Sequence, residues 1–170
     1  MTSTPTVLAL GANLGDPLAA LRGAITALDQ QPVITIESVS SFYQTDPVGG
    51  PDQPVYLNAV VLAETTLTAH ELLAVAHEIE NSWQRTREVR WGARTLDIDI
   101  ITYGDLVLLD EVLTLPHPRA GEREFVLVPW LEIDPNAVLP GIGPVRELAA
   151  AVATGAVRQV AAATTTRSHP

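Results

Sequence analysis

The order of the periodic segments constrains this chain more than any single motif. "TVLALG" (6–11) reads as a short buried strand running into "ANLGD", and Leu18, Leu21, Ile25 and Leu28 then repeat at helical spacing. Asp16 followed by Pro17 marks the start of that helix, because a carboxylate caps the free N–H groups and proline needs none at the first helical position. The β-branched stretch "PVITIESVSSFYQT" (32–45) predicts one strand, and "VYLNAVVLAET" (55–65) predicts another beyond the loop "DPVGGPDQP". Thr68 and Glu71 form a capping box, and Leu72, Ala76, Ile79 and Trp83 mark one face of a second helix. "TLDIDIITYG" (95–104) is the next strand, with Gly104-Asp105 predicting a hairpin to "DLVLL" (105–109).

This β-α-β-β-α-β order predicts an α+β fold of ferredoxin-like type, an antiparallel sheet with helices packed on one face. Long loops follow the second strand and the second helix and project near one another, and long structured loops in a compact domain are usually functional. A short amphipathic segment, "VRELAAAVA", comes late, and the tail from about residue 155 is expected to be loose. With neither repeats nor a linker, a single domain over residues 1–170 is expected.

Composition removes several chemistries. There is no cysteine, so disulfides, thiolate catalysis and cysteine-ligated metals are excluded. All ten cationic side chains are arginine, which excludes a P-loop lysine, a protein-kinase lysine and Schiff-base chemistry. A net charge of −10 argues against a nucleic-acid surface. The N-terminus does not read as a signal peptide and no stretch approaches a membrane span, so the cytoplasm is the expected compartment.

Against that acidic background Arg85, Arg87, Arg90 and Arg94 fall within ten residues. Guanidinium forks match phosphate oxygens, so the knot suits a small polyanion; it suits equally a solvated loop paired with Glu78, Glu80 and Glu88. "RWGARTLDIDII" then leads into Asp97 and Asp99. Residues two apart in a strand share a face, so both carboxylates point one way while Leu96, Ile98 and Ile100 enter the core. Paired carboxylates repel unless a cation lies between them, and Mg²⁺ takes one or two carboxylates with phosphates and water. D-x-D alone also fits an acidic solvent-facing strand; the arginines and Trp91 beside it strengthen the metal reading.

His117 sits between two prolines in "LPHPR", a fixed non-helical position suited to a phosphate donor, with Arg119 and Arg123 close behind. Tyr56 and Asn58 share a strand face, and with Phe125 would suit a flat hydrogen-bonding heterocycle. Core packing explains each of these three singly. "GANLG" lacks the dinucleotide fingerprint and reads as a tight turn.

Four collinear blocks, "ALGANLGD", "SSFYQTDPVGGPDQPVYLNAV", "RWGARTLDIDII" and "LPHPRAGEREFVLVP", make the chain resemble the 6-hydroxymethyl-7,8-dihydropterin pyrophosphokinase family of folate biosynthesis. The resemblance implies a ferredoxin-like fold that transfers the β,γ-diphosphate of ATP to the pterin hydroxymethyl oxygen and releases AMP. It implies two Mg²⁺ ions on Asp97 and Asp99, and Arg85 and Arg94 on the triphosphate. Trp91 would belong to a closing loop, with Gly92 as its pivot. Glu80 and His117 would contact ATP. Thr45, Asn58, Tyr56 and Phe125 would form the pterin pocket, the two rings sandwiching the bicycle.

Val112 and Pro118 stand where some members place an arginine and a tyrosine, and Arg119 is the candidate replacement charge at the ATP site. The arginine loop is one residue shorter than in those members, so no role is carried to Arg87 or Arg90. A monomer is expected, with dihydropteroate synthase as functional neighbour and no nucleic-acid or membrane partner. Two other readings stand beside this one: another two-metal enzyme releasing pyrophosphate, and a ligand-binding module without catalysis.

Overall fold

A computed structural model describes residues 2–13, 15–45, 55–86 and 96–161, the side chains of residues 84–86 excepted. Strand β1 (Thr4–Ala12) leads into α1 (Pro17–Asp29), β2 (Ile34–Val39), β3 (Phe42–Thr45), β4 (Tyr56–Thr65), α2 (Ala69–Thr86) and β5 (Asp97–Tyr103). A small hairpin, β6 (Leu108–Leu109) and β7 (Thr114–Leu115), follows, then a 3₁₀ turn (Ala120–Glu122) and α3 (Glu124–Ile133). The chain continues as β8 (Val138–Leu139), β9 (Gly143–Pro144), α4 (Val145–Val152) and β10 (Arg158–Ala161).

Both expected helix starts form as read. The Asp16 carboxylate accepts from Ala19 N–H at 3.0 Å with Pro17 in the first turn. Glu71 accepts from Thr68 N–H at 2.8 Å while Thr68 Oγ1 accepts from Glu71 N–H at 3.2 Å, the reciprocal capping box.

Among the described residues six strands make one antiparallel sheet in the order β10-β3-β4-β1-β5, with β2 also on β4. The single strand expected over 32–45 is two. β2 pairs with the distal part of β4 and β3 with its start, on the same edge. At the break, Ser40 completes the ladder with its own side chain: its N–H donates to Val60 C=O at 2.9 Å and its hydroxyl accepts from Val60 N–H at 2.8 Å. Ser41 turns instead to α3, where Glu132 accepts from its N–H and its hydroxyl.

Strand alternation sorts the core. Leu8, Leu10 and Ala12 of β1, Leu57, Ala59, Val61 and Ala63 of β4, and Ile98 and Ile100 of β5 are buried with residues of α1 and α2. The helices expected on one face are therefore there, with Leu96, Ile98 and Ile100 in the core as read. A second layer forms on the opposite face, where Val7, Val60 and Ile101 pack with residues of α3 and α4. Beyond that layer the same face runs through Ala9 and Gly11 to the two aspartates, and there it stays open.

Two local expectations give way to tertiary pairing. Residues 105–109 do not form a hairpin with β5: Gly104 turns the chain at φ +53°, its N–H bonds Pro5 C=O at 2.7 Å, and β6 pairs with β7. The outer edge of β5 is engaged elsewhere, Ile98 N–H donating to Glu80 at 3.2 Å and Ile101 C=O accepting from His117 N–H at 2.9 Å. The tail expected to be loose from about 155 instead includes β10, which adds to β3 through Arg158–Gln44 and Gln159–Tyr43 pairs. Among the described residues no helix is long and apolar enough to cross a membrane.

Candidate functional site

The open part of the second sheet face is a cleft of about 620 Å³. Its lining includes Ala9 and Gly11 from β1, Thr45 from β3, Tyr56 and Asn58 from β4, and Asp97 and Asp99 from β5. Arg119, Glu122, Arg123, Glu124 and Phe125 form the wall from the 3₁₀ turn and the start of α3.

The floor is built by register. Gly11 lies between Asn58 on one neighbouring strand and Asp97 on the other, and Ala9 lies between Val60 and Asp99. Small residues at 9 and 11 on β1, between β4 and β5, leave a trough between an amide and two carboxylates. Sequence reasoning passed over them, although their two-residue spacing opposite Leu8, Leu10 and Ala12 was the available signal.

At one end of the trough Asn58 Nδ2 donates to Thr45 Oγ1 at 3.0 Å. That bond orients the amide with Oδ1 toward Gly11, where a β-carbon would come within 3.3 Å of it. Tyr56 stands opposite Thr45 in the ladder, and Phe125 faces the cleft from α3 with the Arg123 guanidinium 5.6 Å above its ring centroid.

At the other end Asp99 Oδ2 is 3.7 Å from Arg123 Nη1 and 3.9 Å from His117 Nε2. His117 Nδ1 accepts from Arg119 N–H at 3.2 Å, which leaves the proton of the neutral ring on Nε2, facing Asp99. Burial holds His117 below the ordinary histidine value, against the pull of the Asp99 charge and with help from Arg123 and Arg119. Arg119 is largely exposed and lies 3.9 Å from Glu122. Glu80 is buried on α2 and does not line the cleft; it engages the edge of β5 at Ile98, between the two aspartates.

The structure thus gathers Thr45, Tyr56, Asn58, Asp97, Asp99, Arg119 and Phe125 around one cleft, with His117 at Asp99 and Glu80 behind the strand. The side chain of Arg85 and all of Arg87, Arg90, Trp91, Gly92 and Arg94 lie outside the described residues.

A family description, 7,8-dihydro-6-hydroxymethylpterin-pyrophosphokinase (HPPK), matches residues 7–135. The chain belongs to the HPPK family. It is 48% identical over 126 residues to the 2-amino-4-hydroxy-6-hydroxymethyldihydropteridine pyrophosphokinase of Bacillus subtilis, covering 74% of this chain and 75% of that one. The Haemophilus influenzae protein of the same name is 44% identical over 141 residues, covering 83% and 88%. Among solved structures, a Plasmodium falciparum HPPK-DHPS with pterin and p-hydroxybenzoate superposes at TM-score 0.71 with 15% identity over 88% of this chain and 43% of that one. The chain thus spans less than half of that HPPK-DHPS polypeptide, and the likeness bears on the fold. Membership makes this HPPK relative an enzyme, a pyrophosphokinase of folate biosynthesis.

The donor set suits a hard cation. Asp97 and Asp99 present carboxylate oxygens on one strand face, the type and number that Mg²⁺ takes when phosphates and water complete its shell. Among the described residues no group of three or more histidine, cysteine or acidic side chains is arranged to hold a metal. Among the described residues, then, the cleft offers a cation the two carboxylates of Asp97 and Asp99.

Proposed function

We propose that this chain transfers the β,γ-diphosphate of ATP to the hydroxymethyl oxygen of 6-hydroxymethyl-7,8-dihydropterin. One observation carries the reading: a single cleft joins a carboxylate pair to an amide–hydroxyl–aromatic end through the trough at Ala9 and Gly11. The pterin hydroxymethyl oxygen bonds to the β-phosphorus, the bond from that phosphorus to the α–β bridging oxygen breaks, and AMP leaves with that oxygen. The hydroxyl proton passes to solvent, and no side chain is assigned as its base.

Asp97 and Asp99 would hold two Mg²⁺ ions, which supply charge neutralisation on the phosphate oxygens. Arg123 and His117 add donors beside Asp99, and Arg119 supplies charge at the exposed rim. Arg85 and Arg94 engage the triphosphate and Trp91 closes over ATP, roles drawn from family resemblance. Asn58 and Thr45 read the polar edge of the pterin, and Tyr56 and Phe125 flank its ring. Glu80 fixes the edge of β5, and so the placing of both aspartates. Catalysis by such parts is positioning and charge stabilisation rather than covalent chemistry. The reaction belongs in the cytoplasm, with dihydropteroate synthase as the functional neighbour and the chain acting as a monomer.

The test is to incubate the protein with Mg²⁺, ATP and the pterin and to follow AMP, with Asp97→Ala in parallel. Pterin-dependent AMP that disappears in the variant is the expected result. Pyrophosphate in place of AMP assigns the site to another two-metal transfer, and no turnover assigns it to binding alone.

A further inference from the structure

Glu124 is the first residue of α3, between Arg123 and Phe125, and all three line the cleft. Nothing in the proposed reaction uses its carboxylate. That carboxylate is nevertheless fully engaged by a segment 30 residues further along the chain. Oε1 accepts from Thr154 N–H at 3.1 Å and from Gly155 N–H at 3.2 Å, and Oε2 accepts from Thr154 Oγ1 at 2.6 Å. Thr154 Oγ1 in turn accepts from Ala156 N–H at 3.2 Å, and Gly155 takes φ +74°, a conformation that needs glycine. The chain is thereby turned into β10, which pairs with β3 through Arg158–Gln44, one residue before Thr45.

Residues 153–161 therefore join the two walls of one end of the cleft. One wall is the start of α3, where the Arg123 N-cap supplies no side-chain hydrogen bond and Phe125 follows directly. The other is the end of β3, where Thr45 holds the Asn58 amide. The segment lies C-terminal to residues 7–135, the part matched by the family. Leu139 of β8 and Leu148 of α4 lie at ordinary packing distance, 3.6 and 3.9 Å, from where a β-carbon on Gly121 would stand, so the same C-terminal region packs against the 3₁₀ turn.

We propose that residues 153–161 are a strap that positions the pterin end of the cleft, and that Glu124 is the positioning residue through which it acts. The inference rests on the proposed function for the identity of the ligand. Val126 and Leu127 N–H bond Arg123 C=O at 2.9 and 3.0 Å, but no side chain caps the first turn of α3, and a helix start without a side-chain cap frays more readily. Three hydrogen bonds to one carboxylate in that turn hold Phe125 at a fixed distance from Thr45 and Asn58. The strap acts on the pterin and leaves the triphosphate end alone.

The experiment measures equilibrium binding of 6-hydroxymethylpterin by its own fluorescence, with a non-hydrolysable ATP analogue and Mg²⁺ present. Affinity for the analogue alone is measured by calorimetry. Wild type is compared with Glu124→Ala, Thr154→Val and Thr154→Ser, with thermal unfolding as the check on folding. Glu124→Ala and Thr154→Val should weaken pterin binding by about fivefold to tenfold, the scale of one lost hydrogen bond. Thr154→Ser, which keeps the hydroxyl, should stay close to wild type, and analogue affinity should be unchanged in all three. Pterin affinity equal to wild type in Glu124→Ala, or an equal loss for pterin and analogue, overturns the strap and leaves the proposed function standing. A wild-type protein that does not bind the pterin at all overturns the proposed function, and the strap with it.

Discussion

Gly11 lies directly across the ladder from Asn58, and a β-carbon on Gly11 would stand 3.3 Å from the Asn58 side-chain oxygen. That separation is tighter than packed side chains normally allow, so Asn58 would have to give. Its freedom to do so is limited by the 3.0 Å bond to Thr45. Gly11→Ala should therefore raise KM for the pterin by about tenfold, as a misplaced binding group does. Thermal stability should change by less than about 1 kcal/mol, because the unfolded-chain gain of about 0.4–1 kcal/mol from alanine is opposed by the cost of displacing Asn58. Steady-state kinetics and a melting curve together check this; a fall in stability with unchanged KM would rule it out.

Arg123 places a guanidinium nitrogen 3.7 Å from the Asp99 carboxylate and lines the cleft. If it stabilises charge on the transferring group, Arg123→Ala should lower kcat by about 10²-fold, the usual loss on removing one preorganised donor. Arg123→Lys should recover only part of it, since an ammonium lacks the planar fork. A kcat within twofold of wild type would remove Arg123 from the reaction.

Tyr43 donates its hydroxyl proton to Glu132 Oε1 at 2.7 Å. Burial, then that hydrogen bond and the Glu132 charge, push its pKa well above the ordinary tyrosine value. A raised folded pKa means the native state keeps a proton that the unfolded chain loses. The stabilisation is thus complete below about pH 10, the unfolded tyrosine value, and fades as pH climbs toward the folded value. With neither lysine nor cysteine in the chain, tyrosines are the side chains that titrate in that window. Melting temperatures from pH 8 to 12 should fall above pH 10, and Tyr43→Phe should flatten that fall. The variant should also lose about 1 kcal/mol near neutrality.

The capping box at Thr68 and Glu71 is local and exposed, so its contribution should be separable from the cleft. Thr68→Ala should destabilise the fold by about 1 kcal/mol. AMP formation per folded molecule should be unchanged, and chemical denaturation beside the activity assay decides it.

Both caps, the alternation that sends Asp97 and Asp99 one way and Ile98 and Ile100 the other, and the core stripe of α1 and α2 were readable from spacing alone. Each depends on residues within about one helical turn or one pleat of one another, where backbone geometry leaves little choice. The motif blocks likewise named most of the residues that now line the cleft, because their chemistry is unusual for a strand or a loop.

Other features depend on partners distant in sequence. Helix α3 carries Pro129 in its interior, which counts locally against a helix, yet Val126, Leu127 and Trp130 are buried against the sheet and outweigh it. The break at Ser40 and Ser41 makes sense only with Val60 and Glu132 in place. Leu108 and Leu109 took β7 as partner, while Glu80 and His117 engage the edge of β5. The short, unpatterned stretch around 154–161 gave no local reason to expect β10, whose partner strand lies more than a hundred residues earlier.

By itself, then, the sequence determined the strands and helices of the β-α-β-β-α-β core in outline and which side chains are chemically equipped to bind phosphate, cation and a flat ring. Only the tertiary structure decided that these groups share a cleft, that Gly11 and Ala9 are its floor, and that Glu124 ties its wall to the C-terminal segment. Local propensity acts over a few bonds, whereas register and packing choose among distant partners by the burial and hydrogen bonding of the whole fold.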